Sequence, residues 1–185
     1  HFQYTDNPEQ IVANSIFADG AAAIVGRSPH HPLVPQGVGW QLINQTSAVL
    51  PETADQMGWR IGDTGFEMSL SPEVPTLIGN ALPETMSAFL AKNSLTKEQI
   101  TDWAVHPGGP RILSTVEQSL QLDTDTLEIS REILSQFGNM SSATIFFILE
   151  CLFVQTKQAH HSGQSDTCVA MAFGPGLATE LALFH

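Results

Sequence analysis

Cations are scarce in this chain: seven Lys and Arg stand against nineteen Asp and Glu, a formal charge of -12. Phosphate-backbone binding rests on clustered Lys and Arg, and no basic stripe occurs, so a nucleic-acid surface is excluded. Cysteine is scarcer still, with Cys151 and Cys168 alone. Each lies in an apolar run without a CxxC partner, which suits reduced core thiols of a cytoplasmic protein and excludes a disulfide framework or a cysteine-based metal site. Long hydrophobic runs are missing too. The most apolar stretch, Ile145 to Val154, is interrupted by Glu150 and falls far short of the roughly 20 residues that span a bilayer. There is no initiator Met, charged n-region or signal core at His1-Phe2-Gln3-Tyr4, and the chain reads as the continuation of something longer.

What is present is enough for one domain. A length of 185 residues with 42% hydrophobic content supports a single full core, and neither a short repeat nor a low-complexity linker divides it. Residues 16–26 follow a turn signal with a short apolar run and are expected as a central strand. Trp40 to Leu50 reads as a second strand, joined to the first by a Pro-rich loop at Pro29, Pro32 and Pro35, and Phe66 to Ser71 as a third. Helical spacing of Val74, Leu77, Ile78, Ala81, Leu82, Met86, Phe89 and Leu90 predicts a helix, kinked or broken near Pro83. Thr96 and Gln99 fit a capping box opening a short helix.

Trp103 to Val105 is a brief strand that delivers His106 to its C-terminal end, where open α/β sheets place binding residues. Helices are expected from Pro110 to about Leu122, with Ile112, Leu113, Val116 and Leu120 inward, and from Leu127 to Phe137, ended by Gly138. Ser141 to about Gln155 is nearly all apolar and reads as a helix buried on most sides. Cys168 to Phe173 and Leu177 to Phe184 close the chain as two strands around Gly174-Pro175-Gly176, a structural turn lacking the spacing of a phosphate cradle. Strands, then helices, then strands give a layered α/β or α+β domain with a central sheet.

The chemistry concentrates in two stretches, His106-Pro107-Gly108-Gly109-Pro110-Arg111 and Gly138-Asn139-Met140-Ser141-Ser142. Each sets a neutral hydrogen-bond donor beside glycine at a helix boundary, a kit for holding a carbonyl oxygen as it becomes an oxyanion or enolate. His30-His31, His160-His161 and His185 show no recurring ligand spacing and are expected in surface loops.

These two motifs, with Phe17-Ala18-Asp19-Gly20-Ala21-Ala22-Ala23 and Phe173-Gly174-Pro175-Gly176-Leu177, closely resemble the C-terminal half of chalcone synthase-like type III polyketide synthases. The resemblance covers nearly the whole chain, in the family's order. It implies an α/β, thiolase-like layered fold with a central mixed sheet flanked by helices, in a cofactor-free homodimer acting on acyl-CoA and malonyl-CoA. It implies that His106 keeps a Cys nucleophile as thiolate and, with Asn139, binds the malonyl thioester carbonyl. That Cys is expected in the preceding half, since neither Cys151 nor Cys168 matches its position, so the isolated chain is expected to be inactive. Phe17 matches a Phe between the CoA tunnel and the pocket. Met68 stands where plant enzymes have a second gating Phe, with Phe66 as substitute if the register slips. Ser141 matches a pocket position, and Gly108, Gly109 and Arg111 are expected near CoA, Arg111 replacing a small residue of the plant enzymes.

Two other readings compete. A ketoacyl-carrier-protein synthase III shares the fold and the Cys-His-Asn logic, but its histidine precedes Gln-Ala-Asn rather than Pro-Gly-Gly. A non-catalytic scaffold of the same fold is the alternative from a different class.

Overall fold

The computed structural model describes residues 6–28, 39–63, 65–159 and 166–185. The expected Pro-rich loop and the pairs His30-His31 and His160-His161 lie outside the described residues. A four-stranded mixed sheet forms the centre: β1 (Leu42–Val49), β4 (Asp102–Val105), β5 (Cys168–Gly174) and β6 (Ala178–Phe184) lie in the order β1-β6-β5-β4. The β5–β6 and β1–β6 pairs are antiparallel, whereas β4 joins β5 in parallel, Trp103 opposite Val169 and Val105 opposite Met171. His185, expected in a surface loop, extends the β1–β6 edge by exchanging backbone hydrogen bonds with Gln41 at 2.7 and 3.0 Å.

Side-chain alternation along β4 and β5 divides the core into two layers. Trp103, Val105, Val169 and Met171 point to one face, where they pack on α2 (Val74–Lys92) and α3 (Pro110–Leu120). Ala104, Cys168 and Ala170 point to the other, beneath α4 (Glu128–Phe137) and α5 (Thr144–Ala159). Both faces are covered, so the central strands carry continuous apolar runs rather than alternation, as buried parallel pairs do. Ile112, Leu113, Val116 and Leu120 of α3 are all buried, as their spacing requires. No helix among the described residues is long and apolar enough to cross a membrane.

Four expectations need correction. Residues 16–26 are not a strand: Ile16 ends α1 (Pro8–Ile16), Phe17 makes one isolated bridge to Asn139, and 18–28 have neither helix nor strand. A strand exists only where another edge accepts its backbone groups, and none of the described strands offers one there. The second concerns Pro83: of the kink or break expected there, the break does not occur, and Pro83 sits inside α2. Val74, Ile78, Leu82, Met86 and Phe89 are buried on one continuous face across the proline, and that packing outweighs the lost hydrogen bond and ring clash. Third, the Thr96 N–H donates to Gln99 Oε1 at 2.7 Å, but the capping box opens only a single 3₁₀ turn, Lys97–Gln99. Fourth, α5 is buried along Thr144, Ile148, Leu149 and Leu152, yet Val154 is 47% exposed, so one flank of that helix is open.

A second small sheet was not expected. β2 (Met57–Gly62) and β3 (Gly65–Leu70) form an antiparallel hairpin, with Trp59 opposite Met68 and Ile61 opposite Phe66. Gln10 of α1 ties the hairpin down by donating from Nε2 to the Met68 carbonyl at 2.5 Å.

Candidate active site

The end of β4 fixes His106. Its N–H donates to the Met171 carbonyl at 2.8 Å as the last step of the β4–β5 ladder. Pro107 has no N–H to continue the ladder, and Gly108 turns back to donate to the His106 carbonyl at 3.0 Å. The chain then enters α3 with Pro110 in its first turn, a position that needs no N–H. A Cβ on Gly108 would come no closer than 3.5 Å to Ile112 Cγ1, and one on Gly109 no closer than 3.6 Å to Ile16 Cδ1. Packing therefore does not demand glycine at either position.

Asn139 is fixed from both sides. Gly138 ends α4 at φ +73, and a Cβ there would stand 2.9 Å from Ala18 Cβ and 3.0 Å from the Ile16 carbonyl oxygen. Glycine is required on both counts. The bare backbone allows the Asn139 N–H to donate to the Ile16 carbonyl at 2.8 Å and the Ala18 N–H to donate to the Asn139 carbonyl at 3.0 Å. Ser141, at φ +56, turns its N–H onto Asn139 Oδ1 at 2.8 Å. That bond decides the amide orientation: Oδ1 is occupied, and Nδ2 faces Gly108, whose carbonyl accepts from it at 3.4 Å. Asn139 itself is only 3% exposed.

Both residues line one cavity of about 540 Å³. Phe17, Met68, Gly108, Gly109, Arg111 and Ser141 line it as well, so the structure gathers every residue singled out from the sequence into a single place. Met68 rather than Phe66 lines the cavity; Phe66 packs edge-on against Trp59 with ring centroids 6.3 Å apart. Desolvation lowers the His106 pKa from 6.5 to about 4, so near neutral pH the ring is uncharged, with one nitrogen donating and one accepting.

Several walls were missed. Trp59 and Met57 come from β2, Val12, Ala13 and Ile16 from α1, Phe173 from β5 and Pro175 from the β5–β6 turn. The hairpin carried a usable signal: Met57, Trp59 and Ile61 alternate just before Gly62-Asp63-Thr64-Gly65, a short turn-forming segment. Trp59 also packs on Phe17, ring centroids 5.9 Å apart.

Neither cysteine lines the cavity. Cys168 is buried in β5, and desolvation, reinforced by Asp102, pushes its thiol far above the usual range. Cys151 on α5 is raised by desolvation and then by Glu150 and Glu132. Thiolate chemistry is thus disfavoured at both. Among the described residues no group of three His, Cys, Asp or Glu could hold a metal ion.

Comparison with known proteins gives one consistent result. The family model for chalcone and stilbene synthases, C-terminal domain, matches residues 41–185. The chain is 35% identical over 176 residues to a 1,3,6,8-tetrahydroxynaphthalene synthase of Streptomyces peucetius subsp. caesius, covering 95% of the chain and 45% of that protein. It is 30% identical over 186 residues to a putative chalcone synthase of Bacillus subtilis (strain 168), covering 99% and 50%. The crystal structure of PKS-I from the brown alga Ectocarpus siliculosus superposes with a TM-score of 0.85 at 26% identity, over 98% of the chain and 48% of that structure. The C-terminal type III polyketide synthase domain of Steely1 from Dictyostelium shares the fold, with a TM-score of 0.81 at 24% identity over 100% of the chain and 50% of that structure. The chain thus spans about half the length of these relatives.

Proposed function

The chain belongs to the chalcone and stilbene synthase family, its residues 41–185 matching that family's C-terminal domain, and on this footing we propose that it is the C-terminal part of a type III polyketide synthase. The intact enzyme condenses malonyl-CoA onto an acyl-CoA starter with loss of CO2. One observation carries the reading: His106 and Asn139 Nδ2 are two neutral donors facing one largely apolar cavity. Such a pair suits a ligand that is a neutral carbonyl when it binds and an enolate afterwards.

The steps follow from that pair. The malonyl thioester carbonyl accepts from His106 and Asn139. Its carboxylate leaves as CO2, and the electron pair of the broken C–C bond moves into an enolate whose oxygen the two donors hold. The enolate carbon then attacks the starter acyl group on a cysteine thioester, a C–C bond forms, and the C–S bond breaks to return the thiolate. Neither Cys151 nor Cys168 suits that role, so the nucleophile belongs to the preceding half of the enzyme. A thiolate set beside His106 favours the imidazolium and raises its pKa from the low value that burial alone imposes, giving the histidine a second task in loading.

Phe17, Met68 and Ser141 bound the acyl pocket. Gly108 and Gly109 leave bare backbone beside the thioester arm, because a side chain at either would fill cavity space that the fold does not need. No bound cofactor enters this scheme, which runs on acyl-CoA and malonyl-CoA alone, and the assembled enzyme works as a cytoplasmic homodimer.

The test is to supply full-length enzyme with malonyl-CoA and a range of acyl-CoA starters and to follow CO2 release and product. Absence of CO2 release with His106 and Asn139 intact would sink the reading. His106→Ala is expected to abolish both acyl loading and decarboxylation.

A further inference from the structure

The charge distribution around the cavity points to a specific role for Arg111. Nineteen of the 185 residues are acidic and seven are Lys or Arg, yet the cavity lining contains no Asp or Glu and one cation, Arg111. In a chain so rich in carboxylates, a lining free of them leaves Arg111 as its one full formal charge. The other cations with recorded partners serve structure: Arg60 pairs with Glu67, Arg131 with Glu117, and Lys97 donates from Nζ to the Leu120 carbonyl at 2.9 Å. No described residue pairs with the Arg111 side chain, which is exposed and follows Gly109-Pro110 directly. A guanidinium that no described residue pairs, lining the same acid-free cavity as the two donors, is placed for an incoming anion. Its planar fork matches phosphate and carboxylate oxygens two at a time.

We propose that Arg111 anchors the anionic oxygens of the acyl-CoA substrate, phosphate or carboxylate, and so makes this cavity selective for charged thioesters. The inference rests on the condensing-enzyme reading for the identity of the ligand, and its test is separated from turnover by measuring binding. Equilibrium dissociation constants are read on full-length enzyme from quenching of the tryptophan fluorescence, to which the cavity-lining Trp59 contributes. The probes are CoA against pantetheine, which lacks the phosphates, and malonyl-CoA against acetyl-CoA, which lacks the carboxylate. Arg111 is exposed and unpaired, so Arg111→Gln leaves the fold intact.

If the anchor grips phosphate, Arg111→Gln weakens CoA binding about tenfold, leaves pantetheine unchanged, and lowers the dependence on NaCl. If it grips carboxylate, the variant loses a malonyl-over-acetyl preference of similar size. Arg111→Lys keeps part of either effect, since it retains the charge without the fork. No change with any probe, or equal weakening of charged and neutral probes, overturns the proposal. Wild-type enzyme that binds CoA in an Arg111-dependent manner but releases no CO2 would instead overturn the condensing reading and leave the anchor standing.

Discussion

Burial of His106 and the two-sided grip on Asn139 give each residue a measurable signature. The His106 pKa lies at about 4 in the folded protein against 6.5 for the free side chain. Between these values the unfolded chain binds a proton that the folded one refuses, so stability is lost as pH falls from 6.5 towards 4 and is fully present above that window. The contribution is about 3 kcal/mol, from 1.36 kcal/mol per pKa unit. Denaturant melts of wild type and His106→Gln across this range should show the slope in the first and a flatter profile in the second; parallel profiles would mean that the ring is not desolvated. For Asn139, truncation to Ala removes Nδ2 from the cavity and leaves the Ser141 N–H without its acceptor at 2.8 Å. Loss of one oxyanion-type donor is expected to slow decarboxylation by about 10²–10³, while transfer of a starter acyl group to the enzyme survives. A single-turnover assay that scores loading and CO2 release separately distinguishes this from general damage, in which both fall together.

Glycines in two neighbouring elements make opposite predictions. Gly138 at the end of α4 carries positive φ, and a Cβ would collide with Ala18 Cβ and the Ile16 carbonyl. Gly138→Ala is therefore expected to disrupt the bridge between Phe17 and Asn139 and to destabilise the protein by about 1–3 kcal/mol. Gly109 before α3 has neither obstacle, so Gly109→Ala should melt like wild type yet raise KM for CoA thioesters by filling the cavity side of the loop. Melting curves and KM values on both variants check the pair; a stable, fully active Gly138→Ala would be the most damaging result.

The same elements explain how far the sequence could be read. His106, Gly108 and Asn139 are legible because their constraints are local: a proline that ends a strand, and a glycine that ends a helix. The continuous burial of Trp103, Ala104 and Val105 follows from an unbroken apolar run. Residues 16–26 misled because strand formation depends on a distant edge that composition does not reveal. The hairpin carrying Trp59 was missed because Met57 to Gly62 includes two glycines and an arginine, which dilute its strand signal. No break occurs at Pro83 because tertiary packing on both sides of it overrides a local interruption.

At the scale of the whole molecule, the apolar surface is unevenly covered. Ile24 and Val25 are exposed, Val25 at 99%, and on the hairpin Ile61 is 82% exposed beside the half-exposed Trp59 and Phe66. Large exposed apolar side chains clustered along a segment mark surfaces that meet another part of an assembly. Residues 20–26 are all exposed, and Gly20 lies so near Met140 that a Cβ would overlap its side chain. The segment is thus anchored at its start against the site, and its side chains beyond Gly20 are open. The relatives are about twice the length of this chain, and on the proposed reading the remaining half of the enzyme covers this segment. Val25→Asp separates the two states. In the 185-residue chain the side chain touches almost nothing, so the substitution should shift the melting temperature by no more than a surface change does, within about 0.5 kcal/mol. In full-length enzyme, with that half over Val25, it would place a carboxylate in an apolar contact and cost several times as much, about 2–5 kcal/mol. Thermal melts of both forms read the difference, and equal shifts in the two would show that residues 20–26 stay uncovered in the intact protein.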